Sequence, residues 1–408
     1  MKEKLIENKL EFLNLLIILM HMMILFIGSI QAVYGIITLK KLSITLLLIA
    51  PVELILYIIY KIKNKNITKS EIIIYILFIL SGLSLFGTTD LNTSIWGFTN
   101  RYEGLLMIYS YYIVFLITST IKNKTYKDFI TYFILLIGFT NFIYGLFQMD
   151  ILGTNIIEIK QKWDYARGFQ GNSMYYSSLI IMCYFIPLGK FLYNSKINII
   201  TVIIFTLAAI ISGSMGLCVS TIIVFIFTII KHIVKKEKNI IIKLIICLLI
   251  FLSVGGLFFI KERKYSKDIK ELSKEISSTV KNKKVEESYG TGRIHIWENV
   301  IKKSKENLLF GVGIDNLYNS FNKKLIDKKS NLPVDKAHNE YLQKIVCEGI
   351  ISGITYILFL AIIFKQNYKE NNYLFMPFLA YTIQAFFNIS VIRVAPFFWI
   401  ITGLLNKE

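Results

Sequence analysis

Of 408 residues, 54% are apolar, and Lys and Arg outnumber Asp and Glu by 46 to 27, for a net charge of +19. Soluble domains do not carry this much apolar sequence, and repeated apolar runs of about 18 residues or more read as membrane-spanning helices. The excess positive charge is therefore a matter of topology, and nucleic acid is not an expected partner.

In chain order the apolar runs fall at about 10–30, 42–60, 71–87, 104–121, 129–149, 174–193, 197–212, 215–232, 239–260, 343–364, 372–389 and 391–404. The expected fold is thus an all-α integral membrane protein of about 12 transmembrane helices. The count is eleven if the two runs that flank SGSMG form one span. The first run is too long for a signal-peptide core and lacks a small-x-small cleavage site, so it reads as a retained anchor. With the N-terminus inside, the termini and even-numbered connections hold 20 Lys and Arg, and the short odd-numbered ones hold 7. That imbalance follows the positive-inside rule and places both termini in the cytoplasm.

The expected organisation is a membrane domain over residues 1–260 (spans 1–9), an extracytoplasmic helical loop over 261–341, and a second membrane portion over 342–408 (spans 10–12). Within the loop, Ile269, Leu272, Ile276 and Val280 form one helical stripe, and Trp297, Val300, Ile301 and Leu308 form another, ended by Gly311 and Gly313. Such helices suit the outer leaflet surface. The four cysteines, Cys183, Cys218, Cys247 and Cys347, lie in or beside apolar runs without metal-ligand spacing, so no metal and no disulfide is expected.

Arginine is scarce. Its five occurrences, Arg101, Arg167, Arg263, Arg293 and Arg393, all fall in outer segments, while lysine serves the cytoplasmic face. A guanidinium fork suits phosphate, and a lipid-borne diphosphate displayed at the outer leaflet lies at that depth. Arg263 sits among lysines and reads as a headgroup contact, and Arg393 is open between the two roles. Arg101, Arg167 and Arg293 each stand among glycines and aromatics, in TNRYEGLL, YARGFQGNS and YGTGRIHIW. Arg293 opens a helix, where free N–H groups and the helix dipole favour an anion.

Of four histidines, His21 lies in the first run and reads as packed or lipid-facing, His232 as solvated in a basic loop, and His295 as turned away from Arg293. His338 opens the tenth run in VDKAHNEYLQKIV, with Asp335 as the expected N-cap. A helix N-terminus disfavours imidazolium, which leaves a ring able to take a proton from a hydroxyl. The competing reading of His338 is a cap at the water interface.

From Gly290 to Ile357, GTGRIHIWENVIKKSKENLLFGVGIDNLYNSF followed by DKAHNEYLQKIVCEGIISGITYI resembles the O-antigen ligase/polymerase family. The shared pattern is G-x-R-x-x-x-W, then L-G-x-G-like glycines, then H-N-x-x-L. WGFTNRYEGLLMIYSYY and RGFQGNSMYYSSLI resemble upstream segments of the same family. The resemblance implies a polytopic glycosyltransferase that moves glycan from an undecaprenyl-diphosphate donor to an acceptor hydroxyl. It implies His338 as the base, Arg293 on the diphosphate with Arg167 and Arg101 in support, and no cofactor. The implied partners are the lipid-linked glycan, a glycan, lipid or protein acceptor, and membrane lipids. Met215 stands where many members carry an arginine, in SGSMG. Two other readings suit a polytopic basic chain: a transporter or flippase for lipid-linked saccharide, and a non-catalytic assembly scaffold.

Overall fold

A computed structural model describes residues 2–151, 163–193, 199–261, 292–321, 324–327 and 331–407. The expected stripe at Ile269–Val280 and Arg263 lie outside the described residues.

The described residues are helical, apart from one isolated antiparallel bridge between Ile326 and Pro333. The long apolar helices are α1 (Lys2–Val33), α2 (Leu39–Lys63), α3 (Lys69–Leu83), α5 (Leu105–Ser119), α6 (Lys124–Gln148), α7 (Ser173–Tyr193), α8 (Ile199–Ile210), α9 (Met215–Val234) and α10 (Lys238–Lys261). α4 (Leu91–Trp96) is a short helix in the connection between α3 and α5. After the undescribed stretch come α11 (Arg293–Ser304), α12 (Leu317–Ser320), α13 (Glu340–Glu348), α14 (Ile350–Asn367), α15 (Phe375–Gln384) and α16 (Ala395–Leu405). Among the described residues eight helices are long and apolar enough to cross a membrane, and four shorter apolar ones accompany them: α5, α8, α15 with its 3-10 extension, and α16.

Helix starts follow local chemistry. Thr68 and Glu71 close a reciprocal capping box on α3, Asn123 caps α6 and Ser214 caps α9. The apolar faces meet in one large core, with Phe115, Phe185, Phe225, Phe359 and Ile400 fully buried.

Contacts sort the connections into two sets. At one end, Glu11 accepts the amides of Lys122 and Asn123 at 2.6 and 2.5 Å, Lys127 reaches the Leu404 carbonyl at 2.7 Å, Lys190 pairs with Asp128 and Lys231 reaches the Glu370 carbonyl at 2.6 Å. At the other, Asn316 bonds Thr88 and Thr89 at 2.9 Å, the Ala166 amide bonds the Ile211 carbonyl at 2.9 Å, Ser390 bonds Glu103 at 2.6 Å, and Arg393 bonds Gln170 at 2.8 Å. All the described arginines stand in this second set.

Three expectations are corrected. The tenth run is not one helix: it breaks at Gly349, whose φ is +86°. The chain at Leu308–Leu309 seats against the break, and a Cβ at residue 349 would lie 2.0 Å from the Leu309 carbonyl oxygen, so only glycine fits. The second helical stripe is shorter and rotated. α11 ends at Ser304, its buried face is Ile296 and Val300, and Ile301 and Leu308 are exposed. His232 is not solvated: it is fully buried, bonded to the Tyr193 hydroxyl at 2.9 Å and paired with Glu237.

The segment between α10 and α14 has a small core of its own among the described residues, made by Ile296, Val300, Val312, Leu317, Leu325, Val334, Ala337, Val346 and Cys347. Its glycines have a defined task. The amides of Val312 and Gly313 bond the Val346 and Cys347 carbonyls at 2.9 and 3.0 Å, which satisfies the open end of α13. Gly311, at φ +69°, permits that approach, because a Cβ there would lie 2.5 Å from the Cys347 carbonyl carbon.

Candidate active site

The stretch AHNEYLQ builds its own perch for the histidine. Asn339, not Asp335, caps α13: its side chain accepts the amides of Tyr341 and Leu342, both at 3.0 Å. His338 therefore precedes the helix and is not in its first turn. It adopts φ +51°, a left-handed conformation that costs a non-glycine residue about 1–2 kcal/mol. Gln343 folds back to accept the Ala337 amide at 2.7 Å. The Trp297 indole N–H donates to the Ala337 carbonyl at 3.0 Å from the other side. Trp297 stands four residues after Arg293 on α11, so one helix face both holds the His338 loop and carries the arginine. This gives G-x-R-x-x-x-W its spacing.

Arg293 opens α11 after Gly292, as expected. Its guanidinium lies 4.0 Å from the Met174 sulfur, at the start of α7, and among the described residues it has no carboxylate within ion-pair distance. Arg101 arrives from the connection between α4 and α5. It is held bidentately by Asp335 at 2.6 and 3.1 Å and also donates to the Tyr175 hydroxyl. Asp335, expected as a cap, is thus Arg101's counter-ion.

Burial together with the fields of Arg293 and Arg101 depresses the His338 imidazole to about 4, against a weaker opposing pull from Asp335. The ring is neutral at physiological pH, as the sequence implies, but through burial and neighbouring cations more than through a helix terminus. Its Nδ1 is buried without a hydrogen-bond partner.

Arg167 is placed differently. Its guanidinium stacks 3.0 Å above the Trp163 ring, and its amide donates to Gln148 at 3.0 Å. No contact joins it to His338 or to the other arginines. Met215 opens α9 as the resemblance expects, behind the Ser214 cap, with a thioether in place of a guanidinium.

Residues 98–103, 312–316 and 334–338 are clamped by a group the sequence reading missed. Lys336 is buried, with its ammonium 2.9 Å from Glu103 and 2.8 Å from Asp315. Glu103 also accepts the hydroxyls of Tyr111 at 2.8 Å and Ser390 at 2.6 Å. Asp315 accepts the Phe98 amide at 2.7 Å. Two carboxylates push the Lys336 ammonium well above its ordinary range. Burial raises Asp315 to about 6 against the pull of Lys336. Behind the clamp a cavity of about 80 Å³ continues inward past Glu340, Lys344 and Glu348. Its walls are mainly apolar, with these charged groups set into them, and it is large enough for a few waters.

Among the described residues no group of three or more His, Cys, Asp or Glu is arranged to hold a metal ion. The family model described as O-antigen ligase matches residues 200–357. Over that stretch the chain is similar to the O-antigen ligase family. The matched stretch is less than half of the chain, and it contains Arg293, Asp315, Lys336 and His338. Arg101, Arg167 and Arg393 lie outside it. No curated protein matches the chain. The partial match stands beside eight helices long and apolar enough to cross a membrane among the described residues.

Proposed function

We propose that this chain is a glycosyltransferase of the O-antigen ligase family that moves glycan from an undecaprenyl-diphosphate carrier to an acceptor hydroxyl at the outer face of the bacterial cytoplasmic membrane. The observation that carries the reading is His338: a neutral, half-buried imidazole with a buried, unpartnered nitrogen, flanked by arginines from α11 and from the α4–α5 connection.

In the proposed step the acceptor oxygen attacks the anomeric carbon as the bond from that carbon to the phosphate oxygen breaks. The bonding pair leaves with the lipid diphosphate, and His338 takes the hydroxyl proton. Arg293 and Arg101 offset the charge that develops on the leaving group, which removes the need for a metal. With a pKa near 4, His338 holds that proton only briefly and passes it to the released diphosphate or to water. Arg167 is assigned the edge of the same donor site, on its nearness in chain to α7. Ligase and polymerase share this step and differ in the acceptor, which is a glycan, a lipid or a protein.

The same reading has twelve crossings with both termini in the cytoplasm, and residues 261–341 as an extracytoplasmic unit between membrane portions 1–260 and 342–408. The alternation of connections between two contact sets supports it, because the lysine-rich connections meet at one end and the arginines at the other. Purified protein in detergent, given lipid-linked donor and acceptor, tests the chemistry. Detergent has no two sides, so a flippase would leave the donor intact, whereas the proposed enzyme consumes it and releases undecaprenyl diphosphate.

A further inference from the structure

Arg393, on the segment that leads into α16, has no part in the step above, and its surroundings are unusual for a half-buried cation. Its Nη1 donates to the Gln170 and Phe169 carbonyls at 2.8 and 3.4 Å, while its Nε is buried with no partner. Among the described residues no carboxylate pairs with it. A charge taken out of water normally has a counter-charge, since two neutral carbonyls do not repay its desolvation. The backbone makes room for the group: a Cβ at Gly171 would lie 2.8 Å from Nη1.

Arg393 faces a hollow of about 40 Å³ that it shares with Arg101, Asn100, Gln170 and Tyr175. Arg101 is already committed to Asp335 and Tyr175, which leaves Arg393 as the guanidinium with spare donors. The Gln170 side-chain oxygen is likewise buried and unpartnered. Its amide group, turned over, presents a donor instead. Donors that converge from several directions fit a tetrahedral oxyanion with many acceptors better than a flat carboxylate. The remaining wall is apolar, formed by Leu39, Val391 and Ile392. One polar and one aliphatic wall describe a site for an alkyl phosphate.

We propose that this hollow seats the chain-side phosphate of the lipid-linked diphosphate, with the sugar-side phosphate left to Arg293 beside His338. The assignment rests on the proposed donor. α7 stands between the two positions: Met174 touches Arg293, and the adjacent Tyr175 lines the hollow. The N-terminus of α7 adds its positive dipole end to both.

The test is binding of undecaprenyl monophosphate, which lacks sugar and second phosphate, to full-length protein in nanodiscs, with undecaprenol as the uncharged control. Arg393→Gln is expected to weaken monophosphate binding about 10- to 100-fold, the range for one charge-assisted contact, and to leave undecaprenol binding unchanged. Arg393→Lys restores part of it. In wild type, a photoreactive undecaprenyl monophosphate is expected to label residues 100–101, 170–175 or 391–393, a readout that does not depend on the variant's folding. Equal binding by a folded Arg393→Gln, or labelling confined elsewhere, overturns the pocket and leaves the proposed enzyme standing. Labelling abolished by modest phosphatidylglycerol assigns the hollow to bulk headgroups and overturns the carrier assignment. A wild type indifferent to both prenyl lipids overturns this proposal together with the donor itself.

Discussion

The sequestered lysines and the half-buried arginines of this protein are treated in opposite ways. Lys190 pairs with Asp128, Lys336 with Glu103 and Asp315, and Lys344 with Glu348 at 2.7 Å. Among the described residues Arg293 and Arg393 have no carboxylate within ion-pair distance, Asp327 acting on Arg293 only from farther off, whereas Arg101 has Asp335. A matched cation holds segments together, and removing it leaves buried carboxylates exposed to each other's field. An unmatched cation is a cost to the empty protein, and the cost is recovered when an anion arrives. The histidines divide along the same line. His232 is fixed by Tyr193 and Glu237, whereas His338 keeps a nitrogen without a partner.

The comparison is broken most directly at His338. His338→Ala is expected to lower glycan transfer by about 10²- to 10⁴-fold, the usual contribution of a positioned base, with thermal stability nearly unchanged. A purified variant that transfers glycan at the wild-type rate removes the proposed base. Lys336→Met inverts the pattern: stability falls by about 3–5 kcal/mol, read from thermal or denaturant unfolding in detergent. Adding Glu103→Gln and Asp315→Asn to Lys336→Met returns most of that loss if the lysine's role is structural. Arg293→Gln costs about 1.5–3 kcal/mol of transition-state stabilisation, seen as a fall in kcat/KM with unchanged unfolding. Arg293→Lys recovers only part.

The pH profile sharpens the contrast. The active form of His338 is the neutral one, and its pKa lies near 4, so the base limb is flat from pH 8 down to about 5 and activity falls only below that. Arg293→Gln removes a neighbouring cation and moves the inflection upward. A wild-type inflection near the ordinary histidine value of about 6.5 contradicts a half-buried, arginine-flanked ring. The smallest effect is at the cap: Asn339→Ala costs about 1 kcal/mol and loosens the turn that presents His338.

The sequence reading foresaw an all-helical chain with several long apolar helices because an apolar run of that length reports itself locally, and it placed the start of α11 after Gly292. It failed where a distant segment decides. The tenth run breaks at Gly349 because the chain at 308–309 seats there, which no local pattern announces. Asp335 looks like a cap only until Arg101, 234 residues away, claims it. The features that bring the His338 loop to the helix carrying Arg293, the Asn339 cap and the Trp297 hook, were not assigned those roles in the sequence reading. Lys336 was not legible, because its partners are 233 and 21 positions distant, and a single lysine in DKAH looks like any solvated lysine.

The bond between Arg101 and Asp335 also bears on when the protein becomes competent. Residue 101 is synthesised long before residue 335 exists, since the two are 234 positions apart. Until the second emerges and docks, Arg101 lacks its counter-ion and the loop that presents the imidazole is not anchored to it. Assembly of the site is thereby tied to a late stage of synthesis.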